Sequence, residues 1–294
     1  MPDYVLKATA GNGQIRVFAA TTQGLAETAR RLHQTSPVVT QALGRLLTAG
    51  SLMGSMMKNA DELITLKIAG EGPLSGLLVT ADAKGNVKGY PYVNDLHDTM
   101  ESPLPVSKAI GGGALNIMKD IGLKEPYVGY SPLISGELAE DLTYYYAQSE
   151  QIPTSVSLGV LLNNDGTVRQ AGGFIIQLMP DTDDEVIDAL EAALADTPSL
   201  TKLLDEGKSL EAIMEDLFKN LSLKVNKTEI TRFSCDCSRQ RITKALTSIG
   251  KKDLIDIISD QEDIEINCDF CKEKYLFSTA DLESILTRIE ENEG

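Results

Sequence analysis

Two histidines, four cysteines and no tryptophan in 294 residues leave little from which to build a catalytic site. His33 closes a helical stretch, where a solvated capping role is the default reading, and His97 stands in the polar run NDLHDTM, at most a lone ligand. No G-x-S-x-G, H-E-x-x-H or Walker pattern occurs. Gly111-Gly112-Gly113 lacks the Gly-Lys-Ser/Thr of a phosphate loop, so a close backbone approach is the better reading. Nothing in the chain therefore calls for an enzyme.

Positive charge is also scarce. Twenty-seven Lys and Arg face 43 Asp and Glu, a formal charge of −16. Without a basic stripe there is nothing to neutralise phosphates, which argues against nucleic acid and against anionic membrane surfaces. No apolar run reaches the ~20 residues that span a bilayer, and no basic-then-apolar leader opens the sequence. The expected location is cytoplasmic, where thiols stay reduced unless stressed.

What is present is a core and a cluster. A length of 294 residues suggests two domains, and the 42% of hydrophobic residues allows a sizeable core. Residues 3–20 read as two strands joined by Gly11-Asn12-Gly13. Thr21 and Thr22 offer an N-cap to a helix reaching about His33, and Ser36-Pro37 opens another that runs to about Lys58. Its leucines and Met53, Met56 and Met57 read as core filler, with an adaptable apolar surface as the functional alternative. Strands follow within 61–94, at PYVGYSPL and in the hairpin TSVSLGVLL/AGGFIIQLM, with a helix starting near Ser135 between them. Residues 1–180 thus read as an α+β domain with mainly antiparallel sheet.

After Pro180 the texture changes. Residues 181–230 carry thirteen Asp and Glu against five Lys and look helical in short pieces. Helices that short are marginal unless they lie on a surface. This window reads as an acidic helical linker, ordered while docked, or else as an ordinary helical subdomain. Residues 231–294 form a small C-terminal module.

All four cysteines fall in that module, as a C-x-C pair, Cys235 and Cys237, and a C-x-x-C pair, Cys268 and Cys271. Two close pairs on a long loop can place four sulfurs at the corners of one tetrahedron, the closed site that Zn2+ accepts. Four thiolates on one divalent ion leave two negative charges, which Arg232, Arg239, Arg241, Lys272 and Lys274 are near enough in sequence to balance. Spacing alone leaves three readings open: an inert staple, a thioredoxin-like pair that leaves the C-x-C unexplained, and a switch in which oxidation removes the ligands.

The run from Arg232 to Cys271 resembles the bacterial redox-regulated thirty-three-kilodalton heat-shock chaperone family. GRLLTAGSLMGSMMK, EGPLSGLLVTAD, ISGELAEDLTYYYAQSEQIPTSVSLGV and AGGFIIQLMPD are similar to that family's core segments, in the same order. The resemblance implies a zinc-dependent holdase that works without ATP. Reduced and zinc-bound, such a protein is inactive. Oxidation then pairs Cys235 with Cys237 and Cys268 with Cys271, the metal leaves, the linker unfolds, and exposed apolar surface binds unfolded client proteins. Active members tend to form homodimers. A constitutive zinc-stapled adaptor is the competing function class, with nucleic-acid binding a weaker third.

Overall fold

The computed structural model describes residues 2–259 and 262–293. The chain divides into two compact units, Met1–Ser234 and Cys235–Gly294.

The first unit is built around one helix. α2 (Pro37–Ser55) follows α1 (Gln23–His33), and sixteen of its nineteen residues are buried. A helix apolar all round must be enclosed on every side. Here that enclosure is two five-stranded sheets whose named strand pairs are all antiparallel. The first sheet holds β1 (Tyr4–Ala10), β2 (Ile15–Thr21), β8 (Thr154–Leu162), β9 (Val168–Leu178) and β10 (Lys224–Ile230), in the order β10-β1-β2-β9-β8. The second holds β3 (Leu63–Gly70), β4 (Gly76–Asp82), β5 (Val87–Pro91), β6 (Gly113–Asp120) and β7 (Tyr127–Pro132), in the order β5-β4-β3-β6-β7. Leu46, Leu47 and Leu52 of α2 join Val5, Phe18 and Ile175 of the first sheet and Ile64, Leu66 and Val79 of the second in one core. Each such side chain contributes ~1.5–3 kcal/mol. Met53 is buried in this core and Met56 and Met57 pack against it, so the methionines are filler.

Glycine sets how closely α2 approaches the second sheet. A Cβ on Gly54 would lie 2.5 Å from the Asp82 carbonyl oxygen and 2.8 Å from Ala81 Cβ. Alanine normally gains ~1 kcal/mol over glycine in a helix. Gly54→Ala is expected to reverse that sign and cost ~1–3 kcal/mol, read as a lower urea midpoint. An unchanged or higher midpoint would mean that the two elements are free to separate.

Several expectations shift in detail. α1 is capped from a distance: the Asp3 carboxylate accepts from the Gly24 and Leu25 amides at 3.2 and 2.7 Å, while Thr22 Oγ1 pairs with Thr48 Oγ1 at 2.7 Å. Burial pushes Asp3 up, against those two amides. His33 does close α1 but is only 2% exposed, so the solvated-cap reading is corrected: its ring is shielded beneath the fold. α2 stops at Ser55, about three residues short of Lys58. The short helix α3 (Val106–Ile110) ends on the glycine triplet, where a Cβ on Gly113 would meet the Ala69 carbonyl oxygen at 2.0 Å, the close approach expected. α4 (Leu138–Tyr145) starts after Gly136, whose φ of 74° keeps Ser135 out of the helix, and a π-turn carries it on to Glu150.

The outer face of the first sheet is covered by α5 (Asp184–Asp196), α6 (Leu200–Asp205) and α7 (Leu210–Leu217). Period-two alternation sends Leu6, Ala8, Ile15, Val17, Phe174 and Ile176 outward to meet them. α6 and α7 sit tightly through Leu203, Leu204, Ile213 and Met214. α5 does not. Its one deeply buried side chain is Leu190, and grooves of about 540 and 190 Å³ run along it. Its N-terminus is clipped to the β1–β2 turn, where Gln14 Nε2 donates to Asp183 Oδ2 at 2.8 Å and the Asp183 amide donates to Gln14 Oε1 at 2.7 Å.

Residues 224–230, read from sequence as part of a helical run, are instead strand β10, added to the edge of β1. Thr231–Ser234 then pass to the second sheet. The Val87 amide donates to Arg232 O at 3.0 Å, and the Ser234 amide donates to Val87 O at 2.8 Å.

The second unit has α8 (Arg239–Ser248), α9 (Lys251–Ser259), the hairpin β11 (Ile264–Asn267) and β12 (Lys274–Phe277), and α10 (Thr279–Glu293). Its core is small: among the described residues Leu246, Leu254, Phe277, Leu282 and Ile285 are its buried members, with half-buried side chains such as Ile242, Ile258 and Leu286 packed against them.

Candidate metal centre

A core of that size is what a metal-dependent module carries. The hairpin supplies one half of the site. Cys268 follows β11 and Cys271 lies in the turn before β12. The Cys268 amide donates to Glu273 O at 2.9 Å and the Lys272 amide to Cys268 O at 2.8 Å, with Lys272 at φ 61°. This tight turn aims both sulfurs to one side. Cys235 and Cys237 lie in the extended run before α8, which Ser238 caps by accepting from the Arg241 amide at 3.3 Å.

The four sulfurs lie within 4.8 Å of one another. Cys235 Sγ and Cys268 Sγ are 3.7 Å apart, and Cys237 Sγ and Cys271 Sγ are 3.3 Å apart. A tetrahedral ion with Zn–S bonds of about 2.3 Å requires S···S edges of about 3.8 Å. All four are free thiols. The donor set and its spacing therefore fit a closed four-sulfur site able to hold one metal ion. His97 belongs to no such group among the described residues; it is exposed, beside Asp95 at 3.3 Å.

The charge balance differs from the sequence expectation. Arg239 is engaged elsewhere: it lies 4.2 Å over the Phe277 ring, pairs with Asp281 at 2.9 Å and donates to Leu276 O. Arg241 pairs with Asp236, and Lys274 with Glu265 at 2.8 Å. These three cations brace the module's frame. Tyr275 on β12 does reach a sulfur: its Oη donates to Cys237 Sγ at 3.2 Å.

Titration follows from this geometry. Burial pushes the Cys271 and Cys235 thiols up. Burial acts on Cys237 too, but the Tyr275 hydroxyl and the other three thiols outweigh it and hold Cys237 below the usual thiol range. The same hydrogen bond drives the Tyr275 phenol upward. Tyr275→Phe should keep the hairpin yet weaken metal binding by about tenfold or more, as outer-sphere partners usually do. Competition with a chromogenic chelator measures this; an unchanged affinity would make Tyr275 a packing residue only.

Fold and cluster together define a two-unit protein: an antiparallel α+β body and a small four-cysteine module. A model of the Hsp33 protein family matches residues 3–278. The 33 kDa chaperonin of Lachnoclostridium phytofermentans is 53% identical over 290 residues, covering 98% of this chain and 99% of that one. That of Agathobacter rectalis is 49% identical over 288 residues, covering 97% and 100%. The crystal structure of the 33 kDa chaperonin of Thermotoga maritima, a heat shock protein 33 homologue, superposes with a TM-score of 0.88 at 32% identity, covering 99% and 100% of the two chains. The chain belongs to the Hsp33 family, and it is a chaperone rather than an enzyme. Among the described residues no helix is long and apolar enough to cross a membrane.

Proposed function

We propose that this chain is a redox-regulated, ATP-independent holdase. In this reading residues 1–180 are the core, 181–230 a linker and 231–294 the switch. Cys235, Cys237, Cys268 and Cys271 hold one Zn2+ in the reduced, inactive state, and bound zinc supplies the cross-link that so small a core needs. The observation that carries the reading is the cluster of four free thiols within 4.8 Å in a module whose core, among the described residues, has five buried apolar side chains.

Oxidation acts on the ligands themselves. Each cysteine pair gives up two electrons to one peroxide: the two zinc-held thiolates join as one disulfide, and the peroxide takes two protons from solvent and leaves as two waters. The four sulfurs lie within 4.8 Å of one another, so their separations single out no pairing. The family resemblance assigns Cys235–Cys237 and Cys268–Cys271. The C-x-C ring is strained and easily reduced, which suits a reversible switch. Disulfide sulfur is a poor ligand, so the module loses its cross-link and unfolds.

Covalent continuity carries the change upstream. Cys235 directly follows the segment that joins β10 to the second sheet, and α5, which buries fewer side chains than α6 or α7, lies at the other end of the same stretch. Freeing it uncovers the Leu6, Val17 and Ile176 face of the first sheet, to which unfolded client proteins bind. The active form is a homodimer working in the cytoplasm, with no role for nucleic acid or membrane. The test is light scattering of a denatured reporter protein with the reduced and the peroxide-treated chain. Suppression only after oxidation is expected. Equal activity in both states would favour a constitutive adaptor.

A further inference from the structure

Strand β10 is held unlike any neighbour in its sheet. It runs antiparallel to β1, from Tyr4↔Ile230 to Thr9↔Lys224, with a bulge opposite Lys7/Ala8. Six of its seven residues are exposed, including Ile230 at 67% and Val225 at 43%. None of the seven belongs to either core cluster of the two sheets. The exception to exposure is Glu229, which pairs with Lys7 at 2.6 Å. β1 itself is buried on both faces through Val5 and Leu6. The pairing is therefore made mainly by backbone amides and carbonyls, with the Lys7–Glu229 ion pair and a long 3.5 Å hydrogen bond from Asn226 Nδ2 to Thr9 Oγ1 beside them. An edge filled in this way has no side-chain pockets and makes no demand on sequence.

We propose that the β1 edge, Tyr4–Thr9, is a second client-binding element, and that it takes an extended stretch of unfolded polypeptide as an added antiparallel strand. β10 is its resting occupant. A bare edge invites aggregation, so the protein keeps it covered until clients are present. Release is simple in mechanical terms. β10 leads through Thr231, the one deeply buried residue of the connection, whose amide donates to Asp3 O at 3.0 Å, and on to Cys235. Losing β10 removes no apolar side chain from the core, so β1 stays in place and presents its free amides. Clients that share no sequence share a backbone, and an edge that reads only backbone suits them all. This rests on the holdase reading for the moment at which β10 leaves. It adds a directional, hydrogen-bonded site to the apolar face.

The test uses the full chain and a short fluorescein-labelled peptide of alternating Val and Thr, with and without N-methylation of alternate amides. Anisotropy should show binding to the peroxide-treated chain and not to the reduced one, at least about tenfold weaker for the N-methylated peptide. The unmodified peptide should also slow hydrogen exchange at residues 4–9. Lys227→Pro/Thr228→Pro removes two adjacent amides of β10, one of which must face β1. That variant should bind the peptide while reduced. Equal affinity for the two peptides, no binding of either, or protection of 4–9 that grows with protein concentration in the absence of peptide overturns strand addition; the last assigns the edge to a second copy. The peptide pair needs only the parental chain, so the proposal stands or falls even if the proline variant does not fold. Oxidised protein that fails to suppress aggregation sinks the holdase reading instead, whereas suppression combined with equal peptide affinities sinks strand addition alone.

Discussion

Replacing Cys268 by serine is expected to leave residues 235–294 unfolded in reducing buffer. Cys268 is the most buried of the four, at 8% exposure, and lies at the head of the hairpin turn. Coordination contributes about 10 kcal/mol or more to modules of this kind. A whole domain has a net stability of only about 5–15 kcal/mol. Removing one ligand of four gives up most of the first figure, and so small an apolar cluster cannot make good the loss. The expected results are loss of bound metal, fast hydrogen exchange throughout α8–α10, and a first unit that keeps its protection. Under the proposed coupling the variant also suppresses aggregation without oxidant. A Cys268→Ser chain that keeps α8–α10 protected would show that the module folds on its own core.

Ile213→Asp separates the trigger from the surface. Ile213 is 1% exposed, on the face of α7 that packs against the first sheet. A carboxylate there is taken out of water and into the apolar cluster that Ile213 shares with Leu203 and Met214, so it costs several kcal/mol while the helices stay docked. α5 and α6 share the interface, and α5 already borders large grooves, so the three helices are expected to leave together. The core around α2 contains none of their residues and remains intact. The variant should keep its metal and its four thiols, bind an anilinonaphthalene dye, become open to trypsin in 184–217, and suppress aggregation while reduced. Helices that are cleaved while suppression stays absent would show that the uncovered sheet face is not what clients bind.

The parts of the fold that were legible in the sequence are those in which side chains carry the signal. α2 announces itself by apolar residues on every side after Ser36-Pro37, and the β8–β9 hairpin by alternation around Asn163-Asn164-Asp165-Gly166. The four cysteines could be read because metal chemistry restricts both residue type and spacing. What was missed is held by backbone. β10 reads as polar linker because an edge strand with exposed side chains needs no alternation. β6 was hidden behind a glycine triplet, although Leu115 and Ile117 do alternate inward. β11 and β12 are four residues each, too short for a period to show. The site's polar partner was missed for a related reason. Charge suggested the flanking arginines, but Arg239 serves the capping Asp281 of α10 and the Phe277 ring, and it is the alternation of β12 that turns Tyr275 toward Cys237.

The redox coupling turns on what the four sulfurs hold and when they let go, and native mass spectrometry of the intact chain reads both at once. The reduced protein should carry one zinc ion and no disulfide. After peroxide it should be metal-free and lighter by two hydrogens for each disulfide, with a charge-state distribution broadened by unfolding. A reduced chain without metal, or an oxidised chain that keeps its metal and its compact distribution, would contradict the switch.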